Sequence, residues 1–187
     1  MDHKFVSRAG YKLQFALSKF EIVVKDKICA DFGCSTGGFT DCLLQNGAKK
    51  VYAIDTGYGV LEWRLRNDTR IVVLERTNAL RVELPGRMDF ISIDVGWTPQ
   101  RLIIPHALEL LKDDGDIVSL LKPHYEAEKQ YMKKGTVETK FLPQIIEKVK
   151  NDLSDYPIEI KNIIESPITG SKGGNIEYLM WIRKKDS

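Results

Sequence analysis

Asp31-Phe32-Gly33-Cys34-Ser35-Thr36-Gly37-Gly38-Phe39-Thr40 decides how this chain is read. The run follows the apolar segment Ile28-Cys29-Ala30 and precedes a helical pattern, Cys42-Leu43-Leu44. A glycine-rich turn between a strand and a helix lets a small molecule approach the backbone closely. The spacing is not Gly-x-Gly-x-x-Gly, which disfavours a nicotinamide dinucleotide. It is not the Gly-x-x-x-x-Gly-Lys-Ser/Thr of a P-loop either.

Outward from that turn, strands alternate with helices. Ser7 can cap a helix whose apolar residues Leu13, Ala16, Leu17 and Phe20 follow the helical period. Strands are expected at Ile28–Phe32, Lys50–Ile54, Ile71–Glu75, Phe90–Ile93 and Asp116–Leu121. Helices are expected at Gly38–Gln45, Leu61–Arg66, Pro99–Leu111 and from about Lys140 to Leu153. Two more strands, Ile158–Ile164 and Glu177–Ile182, are joined by the loop Ser166-Pro167-Ile168-Thr169-Gly170-Ser171-Lys172-Gly173-Gly174 with no helix, so they should pair antiparallel. The pattern implies an α/β fold. Its mostly parallel seven-stranded sheet has an antiparallel last strand and helices on both faces. No repeat or linker divides the 187 residues, so residues 1–187 are read as one domain, with residues 1–20 as an N-terminal helix carrying Lys12.

Composition narrows the classes. Hydrophobic residues make up 43% of the chain, which suits a globular core, and no apolar run approaches the ~18–20 residues of a membrane span. Met1-Asp2-His3-Lys4 lacks the apolar stretch of a signal peptide, so the expected location is cytoplasmic. Three cysteines without paired spacing argue against a disulfide framework. Cys29 reads as core, and Cys34, in the turn, as packing or ligand contact. His3, His106 and His124 are too scattered to ligate a metal. The net charge is only +2. Arg8, Lys12 and Lys19 on the first helix, Lys129, Lys133 and Lys134 in one loop, and Arg183, Lys184 and Lys185 at the end permit a phosphate-binding rim.

In a parallel sheet, ligands bind beyond the carboxyl ends of the strands. The glycine turn lies there, as do Asp55, Asp94 and Lys122. An acid, one variable position and then glycines is the form of an S-adenosylmethionine (SAM) site. On this reading Asp31, Gly33, Cys34, Ser35, Thr36, Gly37, Gly38 and Phe39 line the methionine end, whose carboxylate suits a helix N-terminus. Asp55 would accept from the ribose hydroxyls, or act as a turn aspartate before Gly57 and Gly59. Asn78 stands where it can meet the adenine edge or serve as a plain loop asparagine.

Longer motifs add to this. Ser7-Arg8-Ala9-Gly10-Tyr11-Lys12-Leu13, Asp31 to Leu44, Val51-Tyr52-Ala53-Ile54-Asp55, Leu74-Glu75-Arg76-Thr77-Asn78-Ala79, Ser119-Leu120-Leu121-Lys122-Pro123 and Ser166-Pro167-Ile168-Thr169-Gly170 occur in order. Together they resemble the TlyA, or haemolysin-A-like, branch of the FtsJ-type RNA ribose methyltransferases, from about residue 6 to residue 184. The resemblance implies a Rossmann-like SAM-dependent fold and 2′-O-methylation of RNA, with ribosomal RNA as partner and cytidine as target. It also implies a catalytic tetrad: Lys12, Asp94, Lys122 and Glu177. A ribose hydroxyl is a poor nucleophile that must be oriented and must lose its proton as the methyl arrives. Lys122 is the expected base, with Lys12 as the neighbouring cation and Asp94 and Glu177 orienting the pair.

The resemblance also has departures. The family commonly carries a small RNA-binding domain ahead of this region, and none is read here. Val95-Gly96-Trp97 stands where the family has Val-Ser-Phe, and His124-Tyr125-Glu126 where it has Gln-Phe-Glu. Trp97 and Tyr125 could stack on a flipped-out base or form pocket wall. The rival readings are a base or protein methyltransferase, a SAM-binding module without catalysis, and a pore former. The absence of a membrane-length segment disfavours the last.

Overall fold

The computed structural model describes residues 4–170 and 174–185. His3 and the loop residues Ser171, Lys172 and Gly173 lie outside them. Among the described residues nine strands form: β1 (Ile28–Phe32), β2 (Lys50–Ile54), β3 (Ile71–Leu74), β4 (Met88–Ile93), β5 (Leu111–Leu121), β6 (Met132–Lys133), β7 (Thr136–Val137), β8 (Ile158–Glu165) and β9 (Tyr178–Lys184). Six α-helices accompany them: α1 (Ala9–Lys19), α2 (Gly38–Gln45), α3 (Trp63–Arg66), α4 (Gln100–Glu109), α5 (Pro123–Glu126) and α6 (Leu142–Asp152).

Seven strands make one sheet in the order β3-β2-β1-β4-β5-β9-β8, while β6 and β7 form a separate hairpin. From β3 to β5 all pairings are parallel. β9 runs antiparallel to both β5 and β8. The expected architecture is therefore found, with the last strand in the chain as the one that runs backwards.

Period-two alternation explains the two covered faces. Cys29, Val51, Ala53, Phe90, Val118 and Leu120 pack with Leu13, Ala16 and Leu17 of α1 and Cys42, Leu43 and Leu44 of α2. The intervening residues Ala30, Phe32, Ile54, Ile91, Ile93 and Ile117 pack with Ile103, Ile104 and Ala107 of α4 and Val149 of α6. A one-residue slip would exchange the two sets.

Asp31 occupies a core position on the first face and is fully buried. Thr40 Oγ1 donates to its Oδ2 at 2.7 Å and Ser92 Oγ to its Oδ1 at 3.0 Å. The carboxylate thus ties β1 to α2 and β4. Burial pushes its pKa up to about 7, against the lowering effect of the two hydroxyl donors.

Three expectations need correction. Ser7 does not cap α1: Arg8 is the N-cap residue and no side chain bonds there. Ser7 Oγ instead sits against Gly38. β5 starts five residues early, at Leu111, and α5 and the β6–β7 hairpin have no counterpart in the periodicity. The proposed basic rim is also divided. Lys12 is buried and ion-paired. Arg183 and Lys184 lie at the end of the sheet away from the strand C-termini, bonded to Asp116 and Asp113. Lys133 and Lys134 are exposed in the β6–β7 hairpin.

Two outcomes follow. A carboxyl whose pKa is raised on folding keeps its proton while the unfolded chain loses it, so stability falls as pH rises from about 4 toward 7, by at most ~1.4 kcal/mol per pH unit. Urea denaturation at pH 4.5 to 7 should show that component in the wild type and not in Asp31→Asn; equal slopes would contradict it. At Gly38, an added Cβ would approach the Gly10 nitrogen to 2.9 Å and Ala9 Cβ to 2.9 Å. Gly38→Ala should cost about 1–3 kcal/mol of stability, read as a lower urea midpoint.

Candidate active site

The strand order reverses between β1 and β4, and a cleft opens at their carboxyl ends, as the switch-point rule requires. Gly33 follows β1 at φ +82°. A Cβ there would meet the Asp94 carbonyl oxygen at 2.6 Å, so only glycine lets the two strand ends lie this close. The amides of Gly33 and Cys34 both donate to Ile54 O at 2.9 Å, and Asp94 N donates to Phe32 O at 2.9 Å. These bonds fix the turn against β2 and β4.

The cleft has two adjoining chambers. One, of about 480 Å³, is lined by residues including Asp55, Asn78, Ala79, Val95, Trp97 and Ile103. The other, of about 260 Å³, is lined by Arg8, Lys12, Cys34, Thr36, Phe39, Glu177 and their neighbours. Gly33, Ser35, Asp94 and Lys122 border both.

Asp55 is half-buried at the end of β2. Its Oδ2 accepts from Ser35 N at 2.8 Å and its Oδ1 from Gly57 N at 2.7 Å. Each oxygen keeps a lone pair for a further donor. Asn78 is exposed, its Oδ1 accepts from Leu80 N at 2.9 Å in an Asx turn, and the residue lines the larger chamber.

Four charged side chains form two ion pairs on the smaller chamber. Lys12 Nζ lies 2.5 Å from Glu177 Oε2, joining α1 to the residue before β9. Lys122 Nζ lies 2.5 Å from Asp94 Oδ1 and donates to Val95 O at 3.1 Å. The side chains of Lys12 and Glu177 are 10% and 5% exposed. Removing one member of so buried a pair strands the other charge. The loop Ser166–Gly170 closes over Glu177. Ser166 N donates to Glu177 O at 2.8 Å, and a Cβ on Gly170 would meet Glu177 Oε1 at 2.8 Å. Ile168 of the same loop lines the chamber.

The structure thus gathers Lys12, Asp94, Lys122 and Glu177, with Gly33, Cys34, Ser35, Thr36, Gly38 and Phe39, around one chamber, and Asp55 and Asn78 around the other. Asp31 and Gly37 line neither. Asp31 is turned into the core. Gly37, at φ +101°, faces Leu61 and Leu65, and a Cβ there would collide with both. Its substitution would test the α2–α3 packing, not ligand space. Cys34 lines the smaller chamber, 4% exposed. Burial pushes its thiol pKa up, so it is not a nucleophile at neutral pH.

Sequence reasoning assigned no cleft role to Arg8, although Arg8 and Lys12 are four apart and so share a helix face. It also missed the buried polar cluster behind the cleft. Glu126 Oε1 accepts from Gln100 N at 2.7 Å, and Ser119 Oγ donates to Gln100 Oε1 at 2.7 Å. At the rim, Trp97 is 85% exposed at φ +55°. Its ring lies 5.1 Å from that of Tyr125, and Lys122 Nζ lies 5.7 Å from the Tyr125 ring centre.

The donor set fits SAM. The half-buried Asp55 carboxylate and Asn78 line one chamber, and the other opens at the N-terminus of α2, where free amides favour an anion. Among the described residues, no group of three His, Cys, Asp or Glu could hold a metal ion, and no helix is long and apolar enough to cross a membrane.

Comparison with known proteins agrees with this geometry. The Bacillus subtilis protein YqxC is 45% identical over 95% of this chain and 65% of its own length. The Mycobacterium tuberculosis protein named 16S/23S rRNA (cytidine-2′-O)-methyltransferase TlyA is 38% identical over 97% of this chain and 69% of its own. A solved structure from Streptococcus thermophilus superposes with a TM-score of 0.94 at 41% identity, covering 100% of this chain and 70% of that one. This chain therefore spans about two thirds of the length of such relatives. The FtsJ-like methyltransferase family matches residues 5–184, and the chain belongs to that family.

Proposed function

We propose that this chain is a SAM-dependent methyltransferase acting on the ribose 2′-hydroxyl of ribosomal RNA, with cytidine as the target nucleoside. The observation that carries the reading is the meeting of Lys12–Glu177 and Lys122–Asp94 beside the glycine turn. Two lysines held around one small chamber suit the orientation and deprotonation of a hydroxyl. Methylation of a ring nitrogen or a protein amine has no need of them. The M. tuberculosis relative, named for this reaction, supports the same assignment.

Bound SAM would supply an electrophilic methyl group on a sulfonium. Asp55 would accept from its ribose hydroxyls, Asn78 would meet the adenine edge, and the amides at the start of α2 would hold its carboxylate. Lys12 and Glu177 would orient the acceptor hydroxyl, and Lys122, having first released its own proton to solvent, would take the hydroxyl proton as the neutral amine, held in place by Asp94. Positioning of donor and acceptor alone can supply up to ~7–11 kcal/mol. Trp97 and Tyr125 stand where an unstacked base could lie on their rings, worth ~1–3 kcal/mol. All 187 residues would act as one methyltransferase domain in the cytoplasm, where ribosomal RNA is found.

Ribosomal RNA from cells with and without this gene, digested to nucleosides and analysed by mass spectrometry, tests the reaction. The expected difference is one 2′-O-methylcytidine. A difference confined to base-methylated nucleosides would replace this reading with a base methyltransferase, and no difference would favour a non-catalytic SAM-binding module.

Lys122→Arg should lower turnover on such RNA by ~10²-fold or more, because arginine does not release its proton near neutral pH. SAM affinity, measured by calorimetry, should change little. Near-normal turnover would reduce Lys122 to a positioning charge.

RNA binding by this chain should be weak and salt-sensitive, since the basic rim is divided and the net charge is +2. The log–log slope should be about −0.7 per phosphate neutralised on single strands. Lys133→Glu with Lys134→Glu should flatten it. Tight binding indifferent to salt would instead make aromatic stacking the main source of affinity.

A further inference from the structure

Glu126 is 7% exposed and lies outside both chambers of the cleft. Its carboxylate Oε1 accepts from the Gln100 backbone amide at 2.7 Å. Gln100 opens α4, and its own side chain is committed to β5: Oε1 accepts from the fully buried Ser119 hydroxyl, and Nε2 donates to Leu120 O at 3.4 Å. Burial raises the pKa of Glu126, while the Gln100 amide and the cations Lys148 and Arg101 oppose that and Asp152 adds to it.

The placement of this contact is what gives it consequence. The Asp94–Pro99 loop runs from the end of β4 to the Gln100 amide. Lys122 is the N-cap of the four-residue helix α5, which ends at Glu126. The Glu126–Gln100 bond therefore joins the far end of the loop that carries Asp94 to the far end of the turn that carries Lys122. At the near ends the same two segments are joined by Lys122 to Asp94 and Val95. The two links close a ring of backbone behind the reacting groups. The crevice between them, lined by Val95, Thr98, Gln100, Leu120, Tyr125 and Glu126, has no room for water.

We propose that Glu126 is a positioning residue for Lys122. By capping α4 from the end of α5, it holds the Lys122 amine on Asp94 and at a fixed place in the chamber. This rests on the assignment of Lys122 above, and extends it to a residue that lines neither chamber. A displacement of about 1 Å at a reacting group can cost ~10²-fold in rate, so a link of this kind matters to turnover more than to binding. Glutamine at 126 keeps an acceptor oxygen of the same reach; alanine does not. Aspartate keeps the charge, one methylene short of the amide.

Two readouts separate this from a general loss of stability. The first is labelling of lysine amines by limiting acetic anhydride, followed by peptide mass spectrometry, with the exposed Lys140 as internal reference. Glu126→Ala should raise acetylation of Lys122 several-fold relative to Lys140, Glu126→Asp should do the same, and Glu126→Gln should match the wild type. The second is kinetic. On methyl-accepting RNA, Glu126→Ala should lower kcat about tenfold or more with SAM affinity unchanged, and Glu126→Gln should restore it. Unchanged Lys122 labelling in both the alanine and aspartate variants would overturn the proposal, as would equal loss in the alanine and glutamine variants. If alanine prevents folding, the aspartate variant gives the decision. A wild-type chain without turnover would defeat the proposed function, and the labelling comparison would still decide the role of Glu126.

Discussion

The first two helices cross where two glycines meet. Gly10 in the first turn of α1 and Gly38 at the start of α2 approach each other backbone to backbone, with Phe5 packed on Gly10 and Ser7 Oγ on Gly38. A Cβ on either would come within 2.9 Å of the other's backbone. That crossing sets how deep α1 lies over the cleft. Lys12 is two residues on from Gly10, and its amine ends up on Glu177, 165 positions away in sequence. Asp41, also in the first turn of α2, secures the same crossing. Its Oδ2 accepts from Val6 N at 2.8 Å and from Arg64 at 2.7 Å, and its Oδ1 from Gln45 at 2.9 Å. The glycine turn after β1 thus has two jobs. It opens the cleft at Gly33 and receives α1 at Gly38.

Most of the fold was legible because two periods run cleanly along the chain. Strands β1, β2 and β4 alternate between the α1–α2 face and the α4–α6 face, and each following helix is apolar on one side. The errors fall where polar contacts override the pattern. β5 extends back through Lys112-Asp113-Asp114-Gly115, which reads as a turn. There Arg183 donates to Asp114 O, Lys184 bonds Asp113 and Leu111 O, and Lys112 pairs with Asp89. Tertiary charge pairing pays for residues that local propensity would place in a loop. Hairpin β6–β7 is held by Asn175, whose side chain bonds Val137 N and Gly135 O, a partner 38 residues away that no local window contains. Ser7 is a good capping residue by type, but the Gly38 crossing takes its hydroxyl elsewhere.

The site was legible to the level of the turn, not of each side chain. A motif of ten residues fixes where a cleft forms; it does not say which side of the backbone faces it. Asp31 and Gly37 were assigned to the ligand because they belong to that motif. The structure gives one to the core, between Thr40 and Ser92, and the other to Leu61 and Leu65. Asp94 and Lys122 could be placed from strand ends alone. Lys12 and Glu177 could not, because nothing local marks a lysine on a helix or an acid before a strand as partners. Only the family resemblance named them, and the geometry then paired them.

Charge balance gives the four-residue set its sense. Two ammonium groups and two carboxylates sum to zero, so the four-residue set brings no net charge of its own, and Arg8 on the same chamber adds one positive charge. A positively charged methyl donor adds one unit beside it. On the proposed reading, transfer of the methyl to a hydroxyl would convert that donor to a neutral thioether and release one proton, so the total charge would be conserved only while the proton remains in the site. Each lysine is paired with its own carboxylate, and the two pairs are built on four different elements: α1, the ends of β4 and β5, and the residue before β9 converge on a point that no single segment could fill.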